Sequence, residues 1–315
     1  MRSEHAVSRD DGPADEVGSR DSGGIMYVDR GADRLAVHVY PAGTSGPVAL
    51  LFPAMGVPAG YYRPFVAHLR AAGLAVAVAD HRGTGASSPR PSRRSRYGFA
   101  EIADDVGAVR AALAPRFAGR TTLLVGHSLG GQAALLHLAA ETRAHAAAGA
   151  DPAQSTVDGV VLVAVGLSYH RAYPGHRRFT ALPFTQGIAG LTALLGVWPG
   201  WGGFGGRQAR GVIRDWAYSS RNGRYPTLAG LDVETALRSV HTPVLAISVD
   251  RDFYAPPGTM DYLLTKLGPA AVVREHYTAA QAGGPVDHFR WVRASRPLAD
   301  RVARFAAELD ATRRR

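Results

Sequence analysis

The sequence predicts an α/β protein built on a doubly wound, mostly parallel β-sheet with an inserted cap. Three observations support this fold class. Short runs of β-branched and leucine residues alternate with longer helical stretches, the pattern of parallel strands joined by crossover helices. One run leads through Gly-His-Ser-Leu-Gly directly into an alanine-rich helical stretch. The chain, at 315 residues, is long enough for one large core with an insertion.

The predicted elements follow one another along the chain. Residues 1–24 are polar and predict a disordered tail, so the core is expected to occupy 25–166 and 242–312. An alternating run over 35–40 predicts an antiparallel edge strand. Buried strands are expected over 48–52, 74–79, 159–165 and 243–249 and in the run that begins at Thr121, with a weaker strand over 271–276. Helices are expected over 61–72, 99–117, from the elbow to about 148, and over 296–309.

Residues 167–241 interrupt this alternation and predict the inserted cap. The segment is too long for a simple connection and is rich in glycine, proline, aromatic residues and arginine. It carries nine arginines against three carboxylates, which we expect to meet a negative group on a ligand. Its apolar stretch over 182–201 has two interpretations: packing against the core domain, or lining an adjustable pocket for an acyl group.

Composition excludes several classes of protein. The chain has no cysteine, hence no disulfide, thiol nucleophile or thiolate metal site. No apolar run predicts a membrane-spanning helix and the charged start does not resemble a signal peptide, so we expect a cytoplasmic protein without stable membrane insertion. The formal net charge of +10 comes almost entirely from scattered arginines and does not indicate nucleic-acid binding. No motif predicts a metal site or a cofactor.

The glycine-flanked serine predicts a nucleophile. A strand, Gly-x-Ser-x-Gly and a helix form a nucleophile elbow, with Ser128 between Gly126 and Gly130. So sharp a turn strains the backbone at Ser128 and brings the strand against the helix, which leaves no room for a Cβ at the two glycines. We expect the Ser128 hydroxyl at the carboxyl end of the sheet. The amide of Leu129 begins the helix and is placed to donate to an oxyanion.

A nucleophilic serine needs a base, and the base needs an orienting carboxylate. Both are expected in loops that follow later strands. Asp250 and Asp252 come after the strand predicted over 243–249, and His288 comes after the last strand. Asp252 is the preferred acid and Asp250 the alternative. The chain order Ser128, Asp252, His288 is the order of the α/β hydrolases.

Residues 33–310 resemble the α/β-hydrolase superfamily, within it the lysophospholipase-like and serine-aminopeptidase-like bacterial serine hydrolases. The resemblance rests on the elbow, the acid, the histidine, and the runs Phe-Pro-Ala-Met-Gly-Val and Asp-His-Arg-Gly-Thr-Gly-Ala-Ser. It implies that Ser128 is the nucleophile, Asp252 the acid and His288 the base. Met55 matches the residue whose amide joins that of Leu129 in the oxyanion hole, although Pro-Ala replaces the family's His-Gly pair.

The implied activity is hydrolysis of an ester of a small, partly apolar substrate through an acyl-enzyme, without a cofactor. Thioesters, lactones and amides are further substrate classes. Transfer of the acyl group to an alcohol or amine by the same triad is one alternative, and a non-catalytic ligand-binding protein is another. Among the remaining polar residues, His127 is expected to pack inside the elbow, His81 to bond loop groups, and Asp80 to organise its glycine-rich turn. His170 and His176 are expected on the surface.

Overall fold

The computed structural model describes residues 24–40, 45–151, 155–268 and 270–313. The predicted disordered tail therefore lies outside the described residues, apart from Gly24, which begins the first strand.

Within the described ranges, eight strands form one sheet and two short strands form a separate hairpin. In chain order they are β1 (Gly24–Arg30), β2 (Asp33–Tyr40), β3 (Val48–Phe52), β4 (Ala75–Ala79), β5 (Thr122–His127), β6 (Gly159–Val163), β7 (Val197–Trp198), β8 (Gln208–Ala209), β9 (Val244–Val249) and β10 (Val272–Tyr277). The large sheet has the order β1-β2-β4-β3-β5-β6-β9-β10. β2 pairs antiparallel with β1 and β4, and every later pair is parallel. The mostly parallel sheet is confirmed.

The predicted edge position of the strand over 35–40 is wrong. β2 lies between β1 and β4, and β1 forms the edge. β1 alternates: Met26 and Val28 pack against the core, whereas Ile25 and Tyr27 are exposed. β1 contains the short apolar run Ile25-Met26-Tyr27-Val28, directly after the polar segment 1–24, and this run was not assigned to a strand.

Helices cover both faces of the sheet. They are α1 (Arg63–Ala71), α2 (Phe99–Leu113), α3 (Leu129–Ala147), α4 (Arg177–Leu195), α5 (Arg210–Asn222), α6 (Val233–Leu237), α7 (Pro257–Leu264), α8 (Ala279–Ala282) and α9 (Arg296–Arg313). α2 and α3 belong to one core cluster, and α1 and α9 to the other. Successive residues of β3 point alternately to the two clusters, because side chains alternate across a strand. The doubly wound arrangement follows from this two-sided burial.

The sequence pattern did not predict α7.

Residues 167–241, hereafter the insertion, connect β6 to β9 and contain α4, the β7–β8 hairpin, α5 and α6. α4 and α5 pack together, and Thr185 of α4 donates to Ser220 of α5 at 2.9 Å. The insertion is tied to the core through Asp215 of α5. The buried carboxylate of Asp215 accepts from the amide of Phe99, the first residue of α2, at 2.9 Å. The N-terminus of α2 thus depends on a side chain supplied by the insertion.

A buried ion pair connects the turn after β4 to α2. The Nε of Arg82 donates to Oδ2 of Asp105 at 2.9 Å, and its Nη2 donates to Oδ1. Arg82 also pairs with Asp33 at the start of β2. The Arg82 and Asp105 side chains are 8% and 7% exposed, so each charge depends on the other for its solvation.

Asp105→Ala is expected to lower the free energy of unfolding by about 3–5 kcal/mol, because it leaves a buried guanidinium without its main partner. The neighbouring Asp104 is a matched control, since it pairs with Arg30 through a carboxylate that is 72% exposed. Asp104→Ala should change the free energy of unfolding by less than about 1 kcal/mol. Urea denaturation of both variants measures this difference. Equal losses in the two variants would show that burial of the pair does not matter.

Candidate active site

Ser128 occupies the sharp turn between β5 and α3. Its φ of 51° and ψ of −117° lie outside the regions that a non-glycine residue ordinarily adopts, as the elbow motif predicts. A Cβ on Gly126 would lie 2.2 Å from the Cα of Gly131, and a Cβ on Gly130 would lie 2.0 Å from the carbonyl oxygen of Phe52. Both motif glycines are therefore required by the close approach of the helix to the strands.

His288 and Asp252 are in direct contact. Nδ1 of His288 lies 2.8 Å from Oδ2 and 2.9 Å from Oδ1 of Asp252. Both side chains are buried. Oδ1 of Asp252 also accepts from the backbone amides of Tyr254, at 2.8 Å, and Ala255, at 2.7 Å. These amides hold the carboxylate in place and the carboxylate orients the imidazole.

Asp250, the alternative acid, contacts a different histidine. Its Oδ2 accepts from the amide of Ala279 at 2.8 Å, and its Oδ1 lies 2.9 Å from Nε2 of His276. These two contacts, the amide first, hold the pKa of Asp250 below its usual range. Of the two carboxylates, Asp252 is the one that touches His288.

Ser128 and His288 line the same cavity, which has a volume of about 270 Å³. Its other walls come from the loop after β3, the insertion and the loop after β9. Twelve of the 22 described lining residues are apolar or aromatic: Ala54, Met55, Leu129, Tyr173, Ala181, Phe184, Phe204, Trp216, Phe253, Tyr254, Ala255 and Phe289. Among the described residues, Arg177 is the single arginine in this lining. We expected several arginines of the insertion to lie at the site, and one of them lies there.

The apolar stretch over 182–201 contributes two residues to the cavity, Phe184 and Thr185. Leu194 is 85% exposed, and Leu195 lines a separate, shallower pocket. Ile188 packs into the core. The interpretation of the stretch as an acyl-pocket wall is wrong for its C-terminal half, and the packing interpretation describes only its inward-facing side.

Met55 and Leu129, the residues expected to supply oxyanion donors, also line the cavity. The amide of the preceding residue, Ala54, donates to the hydroxyl of Tyr62 at 2.8 Å. Gly205 of the insertion lies against the side chain of Met55, since a Cβ on this glycine would be 2.8 Å from the sulfur. The loop after β3 therefore contacts the turn that precedes α1 on one side and the insertion on the other.

Comparison with known proteins agrees with this fold. Residues 47–197, just under half of the chain, match a family model described as serine aminopeptidase, S33. The fold is similar to that of a soluble variant of monoglyceride lipase from Saccharomyces cerevisiae, with a TM-score of 0.65 and 13% identity over 95% of this chain and 99% of that chain. The chain therefore has the fold of the α/β hydrolases.

Two further structures share the fold. Est1E from Butyrivibrio proteoclasticus, bound to ferulic acid, aligns with a TM-score of 0.59 and 16% identity, covering 91% of this chain and 99% of that chain. The thioesterase domain from the curacin biosynthetic pathway aligns with a TM-score of 0.55 and 14% identity, covering 91% of this chain and 100% of that chain. No curated protein matches the chain in sequence. Because the sequence identities are this low, the structural similarity shows a common fold alone.

An aromatic cluster packs against His288 beneath the elbow. The ring of His127 lies 4.8 Å from that of His288, and its Nδ1 is 2.7 Å from the hydroxyl of Tyr62. Trp291 packs at 5.2 Å from His127. His127 is fully buried inside the elbow, which confirms its expected place. The sequence pattern did not predict that Tyr62 and Trp291 pack in this cluster. Tyr62 follows the loop after β3 closely in sequence and Trp291 follows His288 closely, and this proximity could have indicated their place.

The other polar residues singled out in the sequence lie outside the cavity lining. Nε2 of His81 donates to the carbonyl of Pro53 at 2.8 Å, which confirms that His81 bonds a loop group. Asp80 accepts from the amides of Ala59 and Ala86, at 2.6 and 2.9 Å, and so organises its turn as predicted. His176 is exposed, whereas the half-buried His170 contacts the carbonyl of Ser220 at 3.0 Å. In the described ranges, no group of three or more His, Asp or Glu side chains is arranged to hold a metal ion.

Stability is expected to fall as the pH drops below about 6.5, the ordinary pKa of histidine. Burial lowers the pKa of His81 and of His127, so the folded chain resists protonation that the unfolded chain accepts. The unfolded state then binds more protons, and each such histidine costs the folded state about 1.4 kcal/mol per pH unit below that value. Urea denaturation on both sides of this pH measures the slope.

His81→Gln tests whether His81 contributes to this loss of stability in acid. The side-chain amide of the glutamine can still donate to the carbonyl of Pro53, but it does not titrate. This variant should show a shallower loss of stability in acid. The exposed His176 provides the control, and His176→Gln should keep the wild-type slope. A slope in His81→Gln that matches wild type would remove His81 from the acid response.

Proposed function

We propose that the chain is a serine hydrolase that cleaves esters of small, partly apolar substrates through an acyl-enzyme. One observation carries the proposal. A serine in a strained elbow and a histidine held by a buried carboxylate line one largely apolar cavity. The match to a serine hydrolase family model over 47–197 supports the same chemistry. Small-molecule sites commonly combine an apolar lining with a few fixed polar groups, as this cavity does.

In the proposed reaction, Ser128 is the nucleophile and His288 the base. The Ser128 oxygen attacks the ester carbonyl while Nε2 of His288 takes its proton. Asp252 holds the tautomer that leaves Nε2 free and stabilises the imidazolium that forms. The carbon–oxygen bond to the leaving group then breaks, and the proton passes from His288 to the departing alcohol. Water repeats these steps on the acyl-serine, releasing the carboxylic acid and returning the proton to Ser128.

The amides of Leu129 and Met55 are proposed to bind the oxyanion. Leu129 is the first residue of α3, where the helix dipole favours negative charge. In the loop after β3, the Ala54 amide is engaged by Tyr62, so Met55 supplies the next available donor. An amide donor needs no particular side chain, which is why Pro53 and Ala54 can replace the family's His-Gly pair.

The insertion is proposed to act as a cap that selects the substrate. Its residues that line the cavity together with Ser128 include Tyr173, Arg177, Ala181, Phe184, Phe204 and Trp216. Aromatic and apolar side chains favour an apolar acyl portion, with about 0.8 kcal/mol gained for each buried methylene. We therefore include thioesters and lactones with such acyl portions among the candidate substrates.

Ser128→Ala is expected to lower kcat by about 10⁴-fold or more, because it removes the nucleophile. The measurement is turnover of p-nitrophenyl esters of increasing acyl length, together with labelling by a fluorophosphonate probe. A second serine provides the control: Ser168 also lines the cavity, but its hydroxyl accepts from the Trp216 indole at 3.0 Å. Ser168→Ala should keep probe labelling.

Several outcomes of this experiment would change the proposal. Retention of a tenth of wild-type turnover by Ser128→Ala would exclude the serine mechanism. Absence of both turnover and labelling in wild type would favour a ligand-binding protein. Formation of a new ester or amide when an alcohol or amine is added, in preference to the free acid, would identify an acyltransferase.

Asp252→Asn should lower kcat by about 10³- to 10⁴-fold, because an amide at this position stabilises the wrong imidazole tautomer. Asp250→Asn is the matched control, since Asp250 contacts His276 and the Ala279 amide. Its kcat should stay close to wild type. Steady-state kinetics on one reactive ester compares the two variants. The reverse ranking would move the acid to Asp250.

A further inference from the structure

Large apolar side chains are exposed around the cavity mouth and along α4. We define the apolar face as the following five residues with their exposed fractions: Phe179 (67%), Phe184 (48%), Leu194 (85%), Trp201 (58%) and Phe253 (60%). Phe184 and Phe253 also line the cavity that contains Ser128. The other exposed large apolar residues in the described ranges lie on β1 and β10, the two edges of the sheet. Apart from the two sheet edges, the exposed large apolar side chains of the described ranges therefore lie in the insertion or in the cavity lining.

Three of these residues share one stripe of α4. At roughly 100° per residue, Leu194 falls between Phe179 and Phe184 around the helix axis, within a sector of roughly 140°. The exposed positions inside this sector include Pro183, Gly187 and Gly190. None of them carries charge, and Thr180, also exposed within this sector, is polar but uncharged, so this side of α4 carries no charge.

The absence of charge extends beyond the helix. Residues 179–206 contain no Asp, Glu, Lys, Arg or His. A surface helix ordinarily carries charged and polar side chains on its solvent face. An exposed apolar patch in a soluble protein usually marks an interaction surface. The exposed stripe of α4 therefore lacks the charged side chains that a solvent-exposed helix face ordinarily carries.

Arginines lie at both ends of this uncharged region. At its start, the guanidinium of Arg178 lies 4.7 Å from the ring centroid of Phe179. At its end, Arg93, Arg94 and Arg207 line a shallow pocket together with Trp201. All four arginines are exposed. In the described part of the chain, none of the four forms a salt bridge with a carboxylate, although Nε of Arg207 donates to the carbonyl of Pro91 at 2.6 Å.

We propose that the apolar face docks the protein peripherally on an anionic lipid bilayer. The aromatic and leucine side chains enter the interfacial region, and the flanking arginines contact lipid phosphates, the arrangement of an interfacial amphipathic helix. A second copy of this chain is a poorer occupant, because it would bring two sets of unpaired arginines together. The described helices include none that is long and apolar enough to span a bilayer, which agrees with binding at its surface. Docking places the cavity mouth against lipid, so an apolar ester reaches Ser128 without crossing water.

Flotation with lipid vesicles tests this docking on the full chain. Wild type should bind vesicles of equimolar phosphatidylcholine and phosphatidylglycerol, bind phosphatidylcholine alone weakly, and lose binding as salt is added. The variant Phe179→Asp with Leu194→Asp should lower the partition coefficient on mixed vesicles by about tenfold or more, because it places two carboxylates in the apolar face. Circular dichroism and the thermal unfolding midpoint check that the variant is folded.

Ile25→Asp is the control, since Ile25 is also an exposed apolar residue, 47% exposed, but lies on β1. It should bind vesicles like wild type. Ser128→Ala should also bind like wild type, so failure of the proposed catalysis would not affect the result. The docking proposal is overturned if wild type does not bind mixed vesicles, or if the double variant binds as well as wild type. A wild-type dimer that the double variant converts to a monomer, without vesicle binding, would assign the face to a second copy.

Discussion

The close packing of α3 against the ends of three neighbouring strands positions the whole site. A Cβ on Gly130 would meet the carbonyl of Phe52 at the end of β3, and a Cβ on Gly131 would lie 2.3 Å from Val165, just beyond β6. The helix can approach this closely only because both residues lack side chains. As a result, the loop after β3, the turn with Ser128 and the start of the insertion converge at one place.

A second set of contacts connects the loop after β3 to His288. The hydroxyl of Tyr62 accepts from the Ala54 amide and contacts Nδ1 of His127, whose ring packs against that of His288. Burial keeps the pKa of His127 well below its ordinary value, so a neutral ring lies beside His288. A charged ring there would repel the imidazolium that the proposed reaction forms. The buried, uncharged character of this cluster is therefore as important for the site as its shape.

Most of the fold could be predicted from the sequence because buried parallel strands are continuous apolar runs, and the predicted strands lie within two residues of those observed. The site motifs were recognisable because the elbow combines a strand, two glycines and a helix. The choice between Asp250 and Asp252 depends on which carboxylate meets His276 and which meets His288, and sequence spacing does not contain that information. The stretch over 182–201 was ambiguous for a different reason. Its composition suits packing against the core and lining a pocket equally, and the rotation of α4 about its axis decides which side chains face the core, the cavity or solvent.

The glycine-rich loop of the insertion has a consequence for how this protein can change. A Cβ on Gly56 would lie 2.1 Å from the carbonyl of Gly205, so two backbones meet without intervening side chains. One of these backbones belongs to the loop after β3 and the other to the insertion. A side chain acquired on either partner would need space that the other occupies. The two segments therefore constrain each other, and replacing the insertion by a different one would also require changes in the loop after β3.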